Sequence, residues 1–460
     1  MFPHSCSCSP CPARRPPCAP ATPDDGNAVR RTPGTLTRVA PSFFRFGTAQ
    51  LVARRQGSAR LVALARAVLT MMARLESADD TSLRESELVD AATRSMCFGG
   101  RLVRPSCAAA AAGLDGPGVL RCLLERVAVR TGSLAAAWQA AGFAHGVLNT
   151  DNMSLLGITI DLNVFGFVDR WDPSYAPNLV DDEGQYAFGK QPAAAGWNVH
   201  MLARAFTGTR FANDYRPGHA TWMNEGGWLD VDRANTATAM YNNTYATCYA
   251  ARMRVRLGLH TSHGSDAADV SAARVVDRWL RFLDLAQPDY HIASRSLALL
   301  PELAFPPAGR QPARRALLDT ALRPSGESAI VAHDAFIAAL GKHLFGLPSS
   351  GAATPASYVS GLRLPAWRSR VLQWVPFYVM RTAQARTITR LAAEDGHDAL
   401  VGKARELLHA PFRNTTAVNR MTAPVLPFDL ASDGEDWVAD ALAAAPGAAE
   451  VGVQTSCGGQ

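Results

Sequence analysis

The clearest periodic run of apolar residues lies between Val119 and Ala141. Apolar side chains recur there every three or four residues, as on one face of an α-helix: Leu120, Leu123, Leu124, Val127, Leu134 and Trp138. Gly142 follows directly and can adopt the left-handed conformation that ends many helices. The pattern therefore predicts a long, half-buried helix that delivers the chain to His145.

A second stripe predicts a core-packing helix between Arg60 and Leu75, formed by Leu61, Leu64, Val68, Met71, Met72 and Leu75. Ahead of it, residues 35–40 suit a short strand, and Pro41 suits the first turn of a helix. Residues 76–118 have mixed composition and predict a loop with short helices. Residues 197–440 are mostly helical in pattern, with Pro-, Gly- and Ser-rich breaks near 305–313 and 347–356.

Length and composition indicate a globular protein with a buried core, since the chain has 460 residues of which 48% are hydrophobic. The longest apolar stretch, from Leu61 to Leu75, is interrupted by Arg66 and Arg74, so no transmembrane helix is predicted. The net charge is +6, and 43 of the 46 basic residues are arginine. Such a bias is more typical of coding composition than of a nucleic-acid surface, and nucleic-acid binding is not favoured.

The first 27 residues are rich in proline and cysteine and have no apolar periodicity, which predicts a disordered extension. They lack the apolar core of a secretory signal. Their arginines leave a mitochondrial targeting role open, although repeated proline opposes the amphipathic helix that such a segment needs. The single C-x-x-C of Cys8 and Cys11 is too little for a zinc site. The chain's nine scattered cysteines do not suggest a disulfide-built secreted domain.

Candidate chemistry is concentrated in Asp151, Asn152 and Asp161. The residues between them, 154–160, include β-branched side chains and predict a strand or tight hairpin with Asp161 at its tip, which would bring the three polar side chains together. Asn152 and Asp161 could then supply hard oxygen ligands to Mg²⁺, and Asp151 could accept a proton from an attacking hydroxyl. Asp and Asn also crowd ordinary turns, which is the simpler alternative.

Around these residues the sequence carries a set of distinctive motifs: Thr37–Gly47, Leu124–Thr131, Trp138–Gly146, Phe165–Phe167, Asp172-Pro173, Asn178, Gly184–Phe188, Gln191-Pro192 and Trp197-Asn198. In these motifs the sequence resembles the selenoprotein O family. They cover most of residues 28–200, and weaker matches continue to Pro411-Phe412.

The resemblance implies an α+β, protein-kinase-like (pseudokinase) fold that binds ATP in a flipped orientation. It implies a protein adenylyltransferase, which moves AMP from ATP to Ser, Thr or Tyr hydroxyls of proteins. Carried onto this sequence, it places Asp151 as the base, Asn152 and Asp161 on Mg²⁺ (or Mn²⁺), and Arg38 and Arg45 on the ATP phosphates, with Asp161 also at the nucleotide. A guanidinium fork suits phosphate geometrically.

The expected organisation has four parts. Residues 1–27 are the disordered extension, and 28–118 are a partial small lobe with a connecting segment. Residues 119–440 are the largely helical large lobe with its helical extension, and 441–460 are a C-terminal tail. His145 is expected to orient the loop, with proton transfer as the less favoured role.

Several family features have no counterpart here. No lysine precedes Lys190 and no glutamate precedes Arg38, so a truncated small lobe is expected, and AMP transfer should be very weak or undetectable. An inactive pseudoenzyme or scaffold of the same fold is therefore the alternative. The family's aspartate-aromatic-glycine turn becomes Asp161-Leu162-Asn163, where Asn still tolerates positive φ. Cys457 resembles the family's redox cysteine, but Pro177 stands where its loop partner would be.

Overall fold

The computed structural model describes residues 8–9, 35–77, 97, 113–207, 229, 231–259, 266–297 and 326–345. The strands are β1 (Cys8–Ser9), β2 (Thr35–Leu36), β3 (Phe143–Ala144) and β4 (Gly166–Phe167). The helices are α1 (Phe46–Ser77), α2 (Gly116–Ala141), α3 (Gln191–Phe206), α4 (Val231–Arg256), α5 (Asp266–Ala286), α6 (Tyr290–Ser296) and α7 (Glu327–Phe345), with a 3₁₀ turn at Phe188–Lys190. Within these ranges the protein is mostly helical with two small antiparallel ladders, which confirms the α+β class.

Helix α2 forms as the apolar pattern predicts and begins three residues earlier, at Gly116. The side chain of Asp115 caps its N-terminus by accepting the Gly118 amide at 2.8 Å. Gly142 ends it with φ 69°, and a Cβ there would lie 2.8 Å from the Tyr290 ring. The predicted left-handed cap is thus confirmed, and close packing of α6 adds a second requirement for glycine.

Helix α1 is longer than predicted and begins elsewhere. Pro41 does not start it, because the chain at Phe44–Gly47 instead pairs with residues 150–155 through three backbone hydrogen bonds of 2.9 Å. The helix begins at Phe46 and is interrupted at Gly57, whose φ of 80° is outside the helical region. The predicted stripe does face the core, where Leu61, Val68 and Met72 are fully buried.

Two apolar clusters hold the described elements together. The first joins α1, α2, α3 and α4, and the second joins α5, α6 and α7 to the segment around Trp171 and Phe188. Tyr290 of the second cluster also bonds to α2, because its buried hydroxyl donates to the carbonyl of Ala140 at 2.8 Å. The same ring lies under the guanidinium of Arg256 at 4.6 Å.

A disulfide between Cys97 and Cys248 joins α4 to a residue 151 positions earlier in the chain. Both cysteines are buried, and they pack against Ala136 of α2. Ser133 of α2 also donates to the carbonyl of Cys97. The sequence did not predict this pairing.

Several predictions fall largely outside the described ranges: the first 27 residues except β1, the breaks near 305–313 and 347–356, and everything from 346 onward, including Cys457. β1 pairs antiparallel with β2, which lies inside the predicted strand at 35–40. Among the described helices, none combines the length and apolar character needed to cross a bilayer.

Candidate functional site

The candidate residues lie on one loop, residues 145–165, here called the site loop. Its two ends are joined by the β3–β4 ladder, in which Phe143 pairs with Phe167 and Ala144 with Gly166. Because α2 runs directly into β3 through Gly142, the predicted helix delivers the chain to this loop as expected. The ladder therefore fixes where the loop leaves and rejoins the body of the protein.

His145 at the start of the loop is 1% exposed, and its Nε2 lies 2.9 Å from the carbonyl oxygen of Ile160. Since a carbonyl only accepts, Nε2 carries the proton and donates it. Burial lowers the pKa of His145 below its ordinary value of 6.5, which favours the neutral ring. This geometry suits a residue that orients the Ile160–Asp161 segment.

Two side-chain amides of α3 hold the loop from the other side. The Gln191 side chain accepts the His145 amide at 2.7 Å and donates to the Phe143 carbonyl at 2.8 Å, which we call the amide clamp. About two turns further along α3, the side-chain amide of Asn198 donates to the carbonyl of Leu148 at 2.7 Å. Both residues are buried, so these backbone groups would otherwise lack a partner. From the sequence they were named only as part of the Gln191-Pro192 and Trp197-Asn198 motifs, with no role of their own.

A turn and a hairpin shape the middle of the loop. Asn149 Oδ1 accepts the amides of Asp151 and Asn152 at 3.0 and 3.1 Å, a role that the sequence analysis missed. Met153 then pairs with Thr159 across an antiparallel bridge. The hairpin is present, but its tip is at residues 155–157, where Gly157 has φ 64°.

Asp161 therefore lies at the open end of the hairpin, and the prediction that placed it at the tip is wrong. The tip needs positive φ without a side-chain clash, which Gly157 supplies. Asn152 directly precedes the bridge residue Met153, and Asp161 follows Thr159 by two positions, so both reach the same open end. The side-chain nitrogen of Asn152 donates to the Val147 carbonyl at 3.1 Å. Its side-chain oxygen, Oδ1, is then the atom that could bind a metal.

Asp151 lies against the first turn of α1. The amide of Gly47 donates to the Thr150 carbonyl at 2.9 Å, and a Cβ added at Gly47 would lie 1.9 Å from Asp151 Oδ1. Only glycine allows this approach with the carboxylate where it is. The Asp151 residue is solvent-exposed, so a hydroxyl from another molecule could reach it.

Asp161 is bound by both predicted phosphate-binding arginines. Arg45 donates through Nε and an Nη to Asp161 Oδ2, at 3.1 and 2.9 Å. Arg38 reaches Oδ1 at 3.3 Å and donates to the side-chain oxygen of Asn163 at 2.7 Å. Asp161 has φ 56°, so the left-handed residue of the Asp161-Leu162-Asn163 turn is the aspartate and not Asn163.

The structure thus brings Arg38, Arg45 and Asp161 into direct contact and places Asn152 at the same end of the hairpin. Asp151 is on the same loop, held between the Asn149 turn and α1. Pro177, at the position expected for a redox partner, lies against the loop: a Cβ at Gly146 would be 3.2 Å from its Cγ. Proline cannot form a disulfide.

Comparison with known proteins agrees with the resemblance. Residues 23–311 match the family described as protein adenylyltransferase SelO. A protein nucleotidyltransferase YdiU from Salmonella paratyphi B is 42% identical over 144 residues, which are 31% of this chain and 26% of that protein. A YdiU from Salmonella arizonae is 40% identical over 152 residues, which are 33% of this chain and 28% of that protein.

The matched region spans about a quarter of the length of these curated relatives. The match to the family extends further than the match to these relatives. It runs from the segment before β2 to beyond α6 and covers more than half of the chain. The protein therefore belongs to the SelO family of protein adenylyltransferases.

Proposed function

We propose that this chain binds ATP with Mg²⁺ or Mn²⁺ and transfers AMP to Ser, Thr or Tyr hydroxyls of other proteins. The observation that supports this most directly is the convergence of Arg38 and Arg45 on Asp161, which lies on the same loop as Asp151 and Asn152. Two guanidinium groups and a carboxylate at one end of a hairpin suit a polyphosphate and a divalent cation. Family membership supports the same chemistry.

Asp151 is the proposed base. It takes the proton from the attacking hydroxyl as that oxygen forms a bond to the α-phosphorus, and the bond from that phosphorus to the leaving pyrophosphate breaks. Its exposure suits a protein substrate, which must bring its own hydroxyl to the site. Asn149 and Gly47 hold the residue in place from two sides.

Asn152 and Asp161 are the proposed metal ligands. An amide oxygen and a carboxylate fit Mg²⁺, which needs only one or two protein groups besides phosphates and water. The bound metal would neutralise phosphate charge. Within the described residues there is no cluster of three or more His, Cys, Asp and Glu that could hold a metal, so this site depends on two ligands of the loop and on the nucleotide.

We further propose a protein-kinase-like, or pseudokinase, arrangement for these elements. In this assignment residues 28–118 belong to the small lobe and its connection, and 119–440 to a helical large lobe. Helix α2 and its Gly142 cap lead directly into β3 and support the start of the site loop, as a long helix does in such a large lobe. The β3–β4 ladder and the amide clamp complete the support.

An inactive member of the same fold is the second candidate. It is favoured by the absence of any lysine before Lys190, because a lysine normally positions phosphates in sites of this type. Loss of one such charge donor costs about 10²–10³ in rate. The active proposal therefore carries the expectation of slow transfer.

Calorimetry with ATP tests the proposal. ATP should bind more tightly with Mg²⁺ than in EDTA, and Asp161→Ala should remove that difference. Asp277→Ala is the matched control, since Asp277 is an exposed carboxylate on α5, and it should keep the difference. No measurable ATP binding by the unaltered chain would contradict both candidates as nucleotide-binding proteins.

A further inference from the structure

The ion pairs at Asp161 occupy the atoms that a metal would need. Both carboxylate oxygens are engaged: Oδ1 by Arg38 at 3.3 Å, and Oδ2 by two nitrogens of Arg45 at 3.1 and 2.9 Å. The Asp161 side chain is only 16% exposed, which limits competition from water. The charge-assisted, forked contact from Arg45 is the stronger type of hydrogen bond.

A divalent cation approaching this carboxylate therefore meets two obstacles. It must displace donors that already satisfy the oxygens, and it must do so next to two positive guanidinium groups. The arginines are also held by other groups: Arg38 donates to Asn163 Oδ1 at 2.7 Å, and the Arg45 guanidinium lies 5.9 Å from the Phe43 ring centre. A cation alone provides nothing that would compensate the arginines for losing the carboxylate.

A polyphosphate provides that compensation. Its oxygens accept the same forked guanidinium contacts that the carboxylate accepts now. The Arg38 and Arg45 side chains are 36% and 33% exposed, so a ligand can reach them. Once the arginines turn to phosphate, the carboxylate carries an uncompensated charge at the end of the hairpin where Asn152 also lies, and a cation becomes the natural partner.

We propose that Asp161 exchanges its two arginines for the metal only when a polyphosphate takes the arginines. This inference rests on the proposed function and adds a rule of regulation to it: metal and nucleotide bind with positive coupling, and each binds weakly alone. By linkage, the metal must strengthen nucleotide binding by the same factor by which the nucleotide strengthens metal binding. Couplings of this kind are typically about 5–150-fold.

The metal side is tested with Mn²⁺ alone, followed by electron paramagnetic resonance of the free ion. The unaltered full-length chain should bind Mn²⁺ weakly. The double variant Arg38→Gln, Arg45→Gln should bind it at least about 5-fold more tightly, because the carboxylate is released. The double variant Arg55→Gln, Arg60→Gln, which removes two exposed arginines of α1, controls for overall charge and should behave like the unaltered chain.

The nucleotide side is tested by equilibrium dialysis of labelled α,β-methylene-ATP, in EDTA and in excess Mn²⁺. The unaltered chain should bind the nucleotide about 5–150-fold more tightly with Mn²⁺. Asp161→Asn should lose this dependence and yet bind the metal-free nucleotide more tightly than the unaltered chain, because its arginines are released. A merely structural ion pair predicts the opposite sign, since loss of the carboxylate would then disorder the arginines and weaken binding.

The outcomes separate the two proposals. Nucleotide binding with Mn²⁺ combined with equal Mn²⁺ affinity in the unaltered chain and the double-arginine variant would refute the exchange and leave the proposed function standing. Weaker metal-free nucleotide binding by Asp161→Asn would also refute the exchange. No nucleotide binding under either condition would overturn the proposed function and the exchange together.

Discussion

Replacing Gln191 by alanine should destabilise the protein far more than a surface substitution, because Gln191 is the amide clamp of the site loop. Its side chain is the partner of the His145 amide and the Phe143 carbonyl. Gln191, His145 and Phe143 are 1%, 1% and 2% exposed, so water cannot replace the lost contacts without rearrangement. Alanine would leave two buried backbone groups without a partner.

The expected magnitude follows from those two groups. A buried polar group that loses its partner costs about 1–3 kcal/mol, so the free energy of unfolding should fall by about 2–6 kcal/mol. Urea denaturation of the full chain, followed by tryptophan fluorescence, measures the change. Lys190→Ala is the adjacent control: the Lys190 side chain is exposed and donates to the Glu183 carbonyl at the surface, so its effect should stay within about 0.5 kcal/mol. Equal effects for the two variants would refute the clamp.

Three further predictions follow from particular contacts. Gly47→Ala should leave stability nearly unchanged but push the Asp151 carboxylate aside, so AMP transfer should fall while ATP binding persists; full transfer would contradict this. Burial lowers the pKa of His145, so the unfolded chain binds a proton near pH 6.5 that the folded chain resists. The free energy of unfolding should therefore fall as pH drops below about 6.5, and less steeply in His145→Gln; equal pH dependence in urea titrations would count against it. Cys248→Ser should lower the unfolding free energy by up to about 5 kcal/mol, the chain-entropy value for a loop of 151 residues, and an unchanged melting temperature would show that the disulfide adds nothing.

The parts of the fold that could be predicted are those with local signals. Helix α2 was identified from its apolar spacing, and its end from Gly142, since both depend on neighbouring residues. The hairpin after Asn152 was predicted in kind, but its tip was not. Gly157 is the local signal for that tip, because glycine readily adopts the positive φ that the turn needs.

Long-range partners could not be predicted from residue patterns. Asp161 binds arginines that lie 123 and 116 positions away, and Gln191 reaches backbone groups 46 and 48 positions away. Nothing in the local sequence distinguishes Gln191 from a polar residue facing water. The start of α1 was missed for the same reason, because Phe46 is set by pairing with the site loop and not by Pro41.

The central claim is tested most directly by following label from ATP into protein. The chain is incubated with a mixed protein substrate, Mg²⁺ and ATP labelled at either the α- or the γ-phosphate. We expect slow incorporation from the α position alone, lost in Asp151→Ala and retained in Asp277→Ala. Incorporation from the γ position, or α-label incorporation that survives Asp151→Ala, would contradict the proposed adenylyl transfer with Asp151 as its base.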